Sequence, residues 1–255
     1  MKTKLTLVHA SQLPRRKRPT GRFDFGRTAE EMGFDGFELK QDTREYIALY
    51  QGDQEGEEYV RHTTFTLQGY KFDEKRKPKL LGRFSATHYL YDYALNSRAD
   101  IIDEADAVSG EAYGAAVMLY GEEEGILNYD LDLVERDTIK ANGLLIESAY
   151  LIPEARGHRL GEAVIHRIIE RHDPSSLGAV ILYPNAKCHI KESDPLFSRE
   201  NGQEKLVAFY RRMGFEPHPK NERYMYLLGE DWNSEWRNPK PVRRRASPKS
   251  VTLWA

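Results

Sequence analysis

The chain has 255 residues, 40% of them hydrophobic, which is enough for one large domain or a domain with appendages. Its 38 Lys and Arg residues against 40 Asp and Glu residues leave a net charge of -2, so overall charge gives no argument for binding nucleic acid or an anionic membrane. There is no run of 18 apolar residues to span a bilayer, and the single cysteine, Cys188, excludes an intrachain disulfide. We therefore expect a soluble, cytoplasmic protein with no membrane partner.

Both ends of the chain are rich in basic residues. Residues 15–18 read RRKR, and residues 237–255 contain six basic and no acidic side chains. A segment of that composition buries too little apolar surface to fold alone. We predict an N-terminal extension over 1–58 that is packed on or precedes the core, an α/β domain over 59–230, and a basic, flexible tail over 231–255. Both basic ends are predicted to be solvated, and contacts with nucleic acid are the alternative.

The first half of the predicted domain contains a hairpin and a helix. Residues 60–72 and 81–95 are rich in Thr, Tyr and Phe and flank a polar turn, which is typical of two antiparallel strands. Residues 100–120 carry apolar side chains at intervals of three and four, which predicts one continuous helix.

The second half alternates strands with helices. Residues 143–152 place apolar side chains on both faces, which predicts a central strand. A helical stripe begins at Leu160 and is followed by a buried strand at 177–184, a helix at 204–213 and a strand at 223–228. This order predicts a mixed α/β sheet with helices on its faces.

The joint between the central strand and the following helix has the composition of an anion site. Pro153 ends the strand, while Gly157 and Gly161 permit a tight turn and the close approach of a ligand. The helix start presents unpaired amides and the positive end of its dipole, beside Arg156 and Arg159. The pattern predicts a pyrophosphate site. The alternative is an ordinary strand–helix joint in which the glycines only relieve strain.

Two segments resemble the signatures of one family. Residues 146–164, IESAYLIPEARGHRLGEAV, resemble the acetyl-CoA loop of the GNAT N-acetyltransferases, and residues 205–217, KLVAFYRRMGFEP, resemble the second signature of that family. The two segments occur in the family's order, separated by the expected helix and strand. Arg159 stands where the loop usually has a glycine, so its side chain must point away from the phosphates or clasp them.

The resemblance implies a GNAT-like fold, with a largely antiparallel mixed sheet flanked by helices on both faces. It also implies acetyl-CoA as the co-substrate, a primary amine as the acceptor, direct transfer and no metal. The cofactor-binding residues that it implies are Ala149, Tyr150, Leu151, Arg156, Gly157, His158, Arg159, Leu160, Gly161, Glu162 and Gln203. In this assignment the main chain of 149–151 holds the pantetheine arm, and the amides of 156–162 hold the pyrophosphate.

Two residues are predicted to be catalytic. Glu147 lies inside an apolar strand, where burial is expected to raise its pKa and suit it to act as a general base. The alternative is a structural carboxylate paired with a nearby arginine. Tyr210 occupies the tyrosine position of the second signature, which the resemblance assigns to the coenzyme A sulfur; its alternative role is packing. Phe209 and Phe215 are predicted to be core residues.

The sequence does not identify the acceptor amine. Asp103, Asp106 and Ser109 recur at three-residue spacing, which favours a solvated helix face, with a site for a cationic amine as the alternative. The long segment 185–203 is a candidate lid. No histidine spacing is typical of metal ligands, so no metal is predicted. The competing function is a GNAT-fold protein without catalysis that contacts nucleic acid or a protein partner through its basic ends, and a homodimer is left open.

Overall fold

The computed structural model describes residues 23–44, 59–72, 77–123, 125–127, 141–172, 176–185, 202–229 and 231–232. The described residues form seven strands and six helices. The strands are β1 (Gly36–Arg44), β2 (Val60–Tyr70), β3 (Lys79–Tyr89), β4 (Asn142–Leu151), β5 (Leu177–Leu182), β6 (Glu216–Pro217) and β7 (Met225–Leu228). The helices are α1 (Phe25–Glu31), α2 (Tyr91–Ser97), α3 (Ile101–Val108), α4 (Gly110–Tyr120), α5 (Leu160–Arg171) and α6 (Gly202–Met213), with a 3₁₀ turn over Pro153–Ala155.

Several predictions from the sequence fall on residues outside this description. They concern Cys188, the basic cluster at 15–18, the C-terminal tail from residue 233 onward, and the part of the candidate lid that covers 186–201. These predictions stay predictions.

One sheet contains all seven strands in the order β1-β2-β3-β4-β5-β7-β6. Every neighbouring pair is antiparallel except β4 and β5, which are parallel. A parallel pair needs a crossover connection, and α5 lies within that connection. The predicted fold class, a mixed and largely antiparallel sheet with helices, is confirmed, and the architecture is compatible with a GNAT-like fold.

One side of the sheet, called the α5 face below, is closed by α5 together with α1 and α6. Its sheet residues include Phe65, Phe84 and Leu144, which share one buried cluster with Ile165 and Ile168 of α5. All five side chains are almost completely buried. The stripe of apolar residues that predicted α5 is therefore the stripe that covers this face.

The opposite side of the sheet, called the α4 face below, is covered by α2, α3 and α4. Tyr89, Leu145 and Ile181 form a second buried cluster with Ala112 and Ala116 of α4. Small side chains on α4 allow the helix to approach the sheet closely, and the Tyr89 hydroxyl donates a hydrogen bond of 2.8 Å to the Ala112 carbonyl. This cover lies over the first part of β4, because Leu145 belongs to the cluster and the residues that follow it do not.

Two predicted elements differ from the structure. The predicted helix over 100–120 is two helices, because Ser109 is extended (φ -169°, ψ 159°) and its side chain caps α4 by accepting from the Ala112 amide at 3.0 Å. The predicted strand over 81–95 ends at Tyr89, and the aromatic residues beyond it begin α2. There Tyr91 stacks on Tyr120, with ring centroids 4.5 Å apart, so packing against α4 overrides the strand propensity of the tyrosines.

The described parts of the two predicted appendages pack on the domain. Strand β1 of the N-terminal extension pairs with β2 along its whole length and forms an edge of the sheet. Trp232 is 4% exposed, belongs to the α5-face cluster and donates from Nε1 to Nδ1 of His166 at 3.1 Å. We therefore place the start of any C-terminal tail after Trp232, while the domain boundaries otherwise stay predictions. Within the described residues, no helix has the length and apolar character needed to cross a bilayer.

Candidate functional site

Strand β5 ends before β4 does, which leaves an unpaired edge on the last residues of β4, called the opening between β4 and β5 below. Their parallel pairing ends at Ile146 and Leu182, whereas β4 stays paired with β3 as far as Leu151. The edge of β4 that faces β5 therefore has no strand partner over 147–151 among the described residues. The resemblance implies such a splayed strand end at 149–151, where main-chain groups would hold the cofactor.

A β-bulge lies at the point where the pairing of the two strands ends. Ser85 pairs with Ser148 and Ala86 pairs with Ile146, so Glu147 is an extra residue in β4. A bulge turns two consecutive side chains toward the same side of a sheet. Glu147 and Ser148 accordingly both reach β3 residues on the α4 face.

The side chains around this bulge form one hydrogen-bonded group, called the Glu147 cluster below. Thr87 donates from Oγ1 to Glu147 Oε1 at 2.5 Å, and His62 Nδ1 lies 3.0 Å from Glu147 Oε2. The hydroxyls of Ser85 and Ser148 are 2.6 Å apart. The side chains of His62 and Glu147 are 18% and 16% exposed, so the cluster is sheltered but open to a small ligand.

The pKa of Glu147 is lowered, which corrects the prediction of a raised value. Burial alone raises this pKa, but hydrogen bonds from His62 and Thr87, with a smaller one from Ser85, lower it further than burial raises it. The carboxylate is therefore ionised at neutral pH. Among the described residues, the basic side chain within ion-pair distance of this carboxylate is His62, and not the arginine expected for a purely structural carboxylate.

Four members of the Glu147 cluster were not predicted as site residues from the sequence, namely His62, Thr87, Ser85 and Ser148. The alternation of polar and apolar residues in β2 and β3 was the available signal, because it places His62 on one side of β2 and both Ser85 and Thr87 on one side of β3. The relative register of the strands, which brings these residues to Glu147, is not visible in that pattern.

The loop between β4 and α5 has the backbone geometry of an anion site. Gly157 adopts a positive φ of 85°, and Arg159, the N-cap residue of α5, adopts a φ of 59°. No side chain caps the start of α5. The first amides of the helix therefore point into the loop without a side-chain acceptor, and they favour a bound anion.

Three further residues that were predicted to bind the cofactor, namely His158, Leu160 and Gly161, differ in how exposed they are. Leu160 is completely buried as a whole residue, and its side chain packs in the α5-face cluster. A Cβ built on Gly161 would meet Leu151 Cδ1 at 3.5 Å and Phe209 Cζ at 3.7 Å, which are ordinary contacts. The fold thus does not require glycine at 161, and its absence of a side chain leaves room beside the helix start. His158 is half-buried in the loop.

The Arg159 side chain is paired with Glu162. Its Nε and Nη2 donate to the two carboxylate oxygens of Glu162, each at 2.9 Å. Such a bidentate pair fixes the guanidinium over the first turn of α5. Glu162 also neutralises the charge that an arginine would otherwise bring to the loop.

Arg156 lies at the mouth of the opening between β4 and β5. Its Nε donates to the Leu151 carbonyl at 2.9 Å, and its guanidinium carbon lies 5.7 Å from the centre of the Tyr150 ring. The Ile152 amide donates to Leu81 of β3, so the Leu151 carbonyl in the same peptide points the opposite way, toward the opening. Arg156 therefore places a cation at the edge where Tyr150 and Leu151 were predicted to meet the cofactor, beside the exposed Ala149.

Tyr210 and Gln203 belong to α6, and Tyr210 lies on the α5 face. Tyr210 is 6% exposed, with its ring 5.1 Å from that of Phe209 and 5.8 Å from that of Phe215. Burial raises its pKa to about 12, so the hydroxyl stays protonated at neutral pH. Gln203 donates from Nε2 to the Pro184 carbonyl, which joins the start of α6 to the end of β5. Tyr210 and Glu147 thus lie on opposite faces of the sheet.

The three polar residues that were the alternative site for a cationic amine do not lie on one face of a single helix. Ser109 is used as the cap of α4, and Asp103 and Asp106 are exposed on α3. The break at Ser109 explains this, because the three-residue spacing holds only along a continuous helix. Across the described residues no group of three or more His, Cys, Asp or Glu side chains is arranged to hold a metal ion.

Comparison with known proteins gives no family assignment. No protein-family model matches the chain, and no curated protein matches it. A solved structure, the crystal structure of a KacTA–DNA complex, is similar over 76% of this chain and 94% of that chain, with a TM-score of 0.34 and 10% sequence identity. A similarity at that level does not establish common function, so the residues of this chain have to carry any functional argument.

Proposed function

We propose that the protein is an acetyl-CoA-dependent N-acetyltransferase that acts on a primary amine by direct transfer. The observation that supports this proposal most is the position of the Glu147 cluster. An ionised carboxylate, 16% exposed and with a histidine partner, lies where the pairing of β4 with β5 ends, and β4 leads on to a helix start that no side chain caps. A thioester with a diphosphate in its carrier needs both an anion seat and a nearby proton acceptor.

The cofactor would bind along the opening. The amides that begin α5, with Gly157 in its left-handed conformation, suit the pyrophosphate. The unpaired edge of β4 over 149–151 suits the amides of the pantetheine arm, and its N–H groups can polarise the thioester carbonyl. The guanidinium of Arg156 at the mouth adds positive charge close to where the phosphates enter.

The chemistry divides between the two faces of the sheet. The amine nitrogen attacks the thioester carbon, forming a C–N bond, and the C–S bond breaks to release the coenzyme A thiolate. The proton lost from the amine passes to the carboxylate of Glu147, whose Oε2 lies 3.0 Å from His62 Nδ1. Tyr210, with its pKa raised to about 12 by burial, suits hydrogen-bond donation to the thiolate better than complete proton transfer.

One observation favours the competing function, a binding protein of the same fold without catalysis. The carboxylate of Glu162, paired with Arg159 in the first turn of α5, places negative charge beside the proposed diphosphate seat. In that case the partner would be a protein or a nucleic acid. The basic ends that were considered for such contacts lie outside the described residues.

The direct test is acetyl transfer by Glu147→Gln across a panel of primary amines. We expect kcat/KM to fall about 100-fold or more, the usual range for loss of a proton acceptor, with the Kd for acetyl-CoA unchanged. Glu30→Gln is the matched control, because Glu30 is exposed on α1 at the other face. Full activity in Glu147→Gln contradicts the assigned role, and a wild-type protein that neither binds nor turns over acetyl-CoA supports the competing function.

A further inference from the structure

The Glu147 cluster continues sideways across two more strands on the α4 face. Strand β5 pairs with β4 through Leu182 opposite Ile146, and the same Leu182 pairs with β7. Side chains alternate between faces along each strand, and Leu182 belongs to the α5-face cluster. Tyr224, the residue before β7, packs against the α4-face cluster, and Tyr183, the residue after β5, contacts the Tyr224 ring, so both lie on the face that carries Glu147.

The two tyrosines form a partly open aromatic surface. Their ring centroids are 5.7 Å apart, and Tyr183 is 44% exposed. A Cβ built on Gly114 would lie 2.6 Å from the Tyr224 hydroxyl oxygen, so that hydroxyl rests directly against α4. Glycine at 114 makes this contact possible, because any larger residue would place its Cβ against the Tyr224 hydroxyl.

A carboxylate completes this group. Glu111 lies three residues before Gly114 and therefore on the same side of α4. The pKa of Tyr224 is raised by burial first and then by Tyr183 and Glu111, which places all three groups within electrostatic range, while the neighbouring Arg223 lowers it. Glu111 is exposed, so its carboxylate is accessible to a ligand that also contacts the rings.

Resting on the proposed function, we propose that the acceptor is an aliphatic amine carrying a second positive charge, which binds between Tyr183, Tyr224 and Glu111 while the reacting nitrogen lies at Glu147. The reacting nitrogen must be neutral when it attacks, so a charge that the protein recognises has to lie elsewhere on the acceptor. Aromatic faces beside a carboxylate attract a cation. Neighbouring strands are about 4.8 Å apart, so this subsite lies one to two spacings, about 5 to 10 Å, from β4.

Calorimetric titration of cadaverine, a linear diamine, tests the subsite without requiring turnover. The comparison ligand is 5-aminopentan-1-ol, which has the same length and one amine. We expect cadaverine to bind about fivefold more tightly, and Glu111→Gln and Tyr183→Leu each to weaken cadaverine alone by about three- to fivefold. The matched controls are Glu30→Gln and Tyr93→Leu, which remove an exposed carboxylate and an exposed ring away from the site.

Equal binding of the diamine and the amino alcohol overturns the inference, as does an unchanged cadaverine affinity in both Glu111→Gln and Tyr183→Leu. Acetylation kinetics separate this result from the proposed function. If cadaverine binds as expected but acetyl-CoA transfers no acetyl group to it, the subsite stands and the assigned reaction fails. If transfer occurs with the same KM for both ligands, the reaction stands and the subsite fails.

Discussion

The two faces of the sheet differ in the side chains that the same strands place on them. The α5 face is apolar from β2 to β7 and is sealed by α5, α6 and Trp232. The α4 face is apolar only near its helices and carries a row of polar and aromatic side chains beyond them. Strand β3 shows the division at single-residue spacing, because Phe84 belongs to the first face and Ser85 to the second. The α5 face therefore contributes mainly to stability, whereas the Glu147 cluster lies on the α4 face beside the buried residues of that face.

The largest expected difference between the faces comes from neighbouring substitutions in β3. Phe84→Ala should lower the free energy of unfolding by about 3 to 5 kcal/mol, because it empties a buried site. Ser85→Ala should lower it by about 1 kcal/mol, the value of one hydrogen bond, and should reduce acetyl transfer as well. Urea denaturation followed by circular dichroism measures the free energy of unfolding of both variants. Equal losses of stability would remove the distinction between the faces.

Acid should destabilise the α5 face before it affects the Glu147 cluster. Burial lowers the pKa of His166 and of His172 from the ordinary 6.5 to about 4, so both are neutral when folded. The stability that goes with this is fully present above pH 6.5 and is lost as the pH falls toward 4, because the unfolded chain takes up the protons first. Each such shift corresponds to about 3 kcal/mol. Because the pKa of Glu147 is lowered from 4.5, the stability that this carboxylate contributes is lost only as the pH falls below 4.5.

Denaturation midpoints measured from pH 7 to pH 4 check this expectation. His166→Gln keeps an acceptor for the Trp232 indole and removes one titrating group, so its stability should fall less steeply between pH 6.5 and 4. A wild-type stability that is constant over this range would show that neither histidine is buried as the structure has it.

The smallest expected effects distinguish the two glycines of the loop. Gly161→Ala should raise the free energy of unfolding by up to about 1 kcal/mol, since alanine favours the helix and the new methyl group meets only ordinary contacts. Gly157→Ala should lower it by about 1 kcal/mol because of the positive φ. If Gly161 leaves room for the diphosphate, Gly161→Ala is more stable but binds acetyl-CoA more weakly. An unchanged Kd in that variant would exclude close approach of the cofactor there.

The sequence predicts the α5 face better than the α4 face for a physical reason. Leu160, Ile165 and Ile168 repeat with helical period, and the strand over 143–152 is apolar, so local pattern alone indicates α5 and β4. The break at Ser109 was not predicted, because its capping hydrogen bond competes with a helical pattern that continues on both sides.

The Glu147 cluster depends on contacts that are distant in the chain. The bulge at Glu147 is set by the register between β3 and β4, and His62 reaches the carboxylate only through the pairing of β2 with β3. Glu147 itself was predicted from the resemblance, which implies a carboxylate two residues before Ala149, and from its position in an apolar strand. The direction of its pKa shift was predicted wrongly, because burial was considered without the hydrogen bonds that outweigh it.

Calorimetric titration of the wild-type protein with acetyl-CoA tests the central claim most directly, namely that the opening between β4 and β5 beside the start of α5 holds this thioester. The proposal predicts binding of one molecule per chain, with an affinity that Glu147→Gln retains and Gly161→Ala weakens. The absence of any binding, in a protein that is folded by circular dichroism, would contradict it.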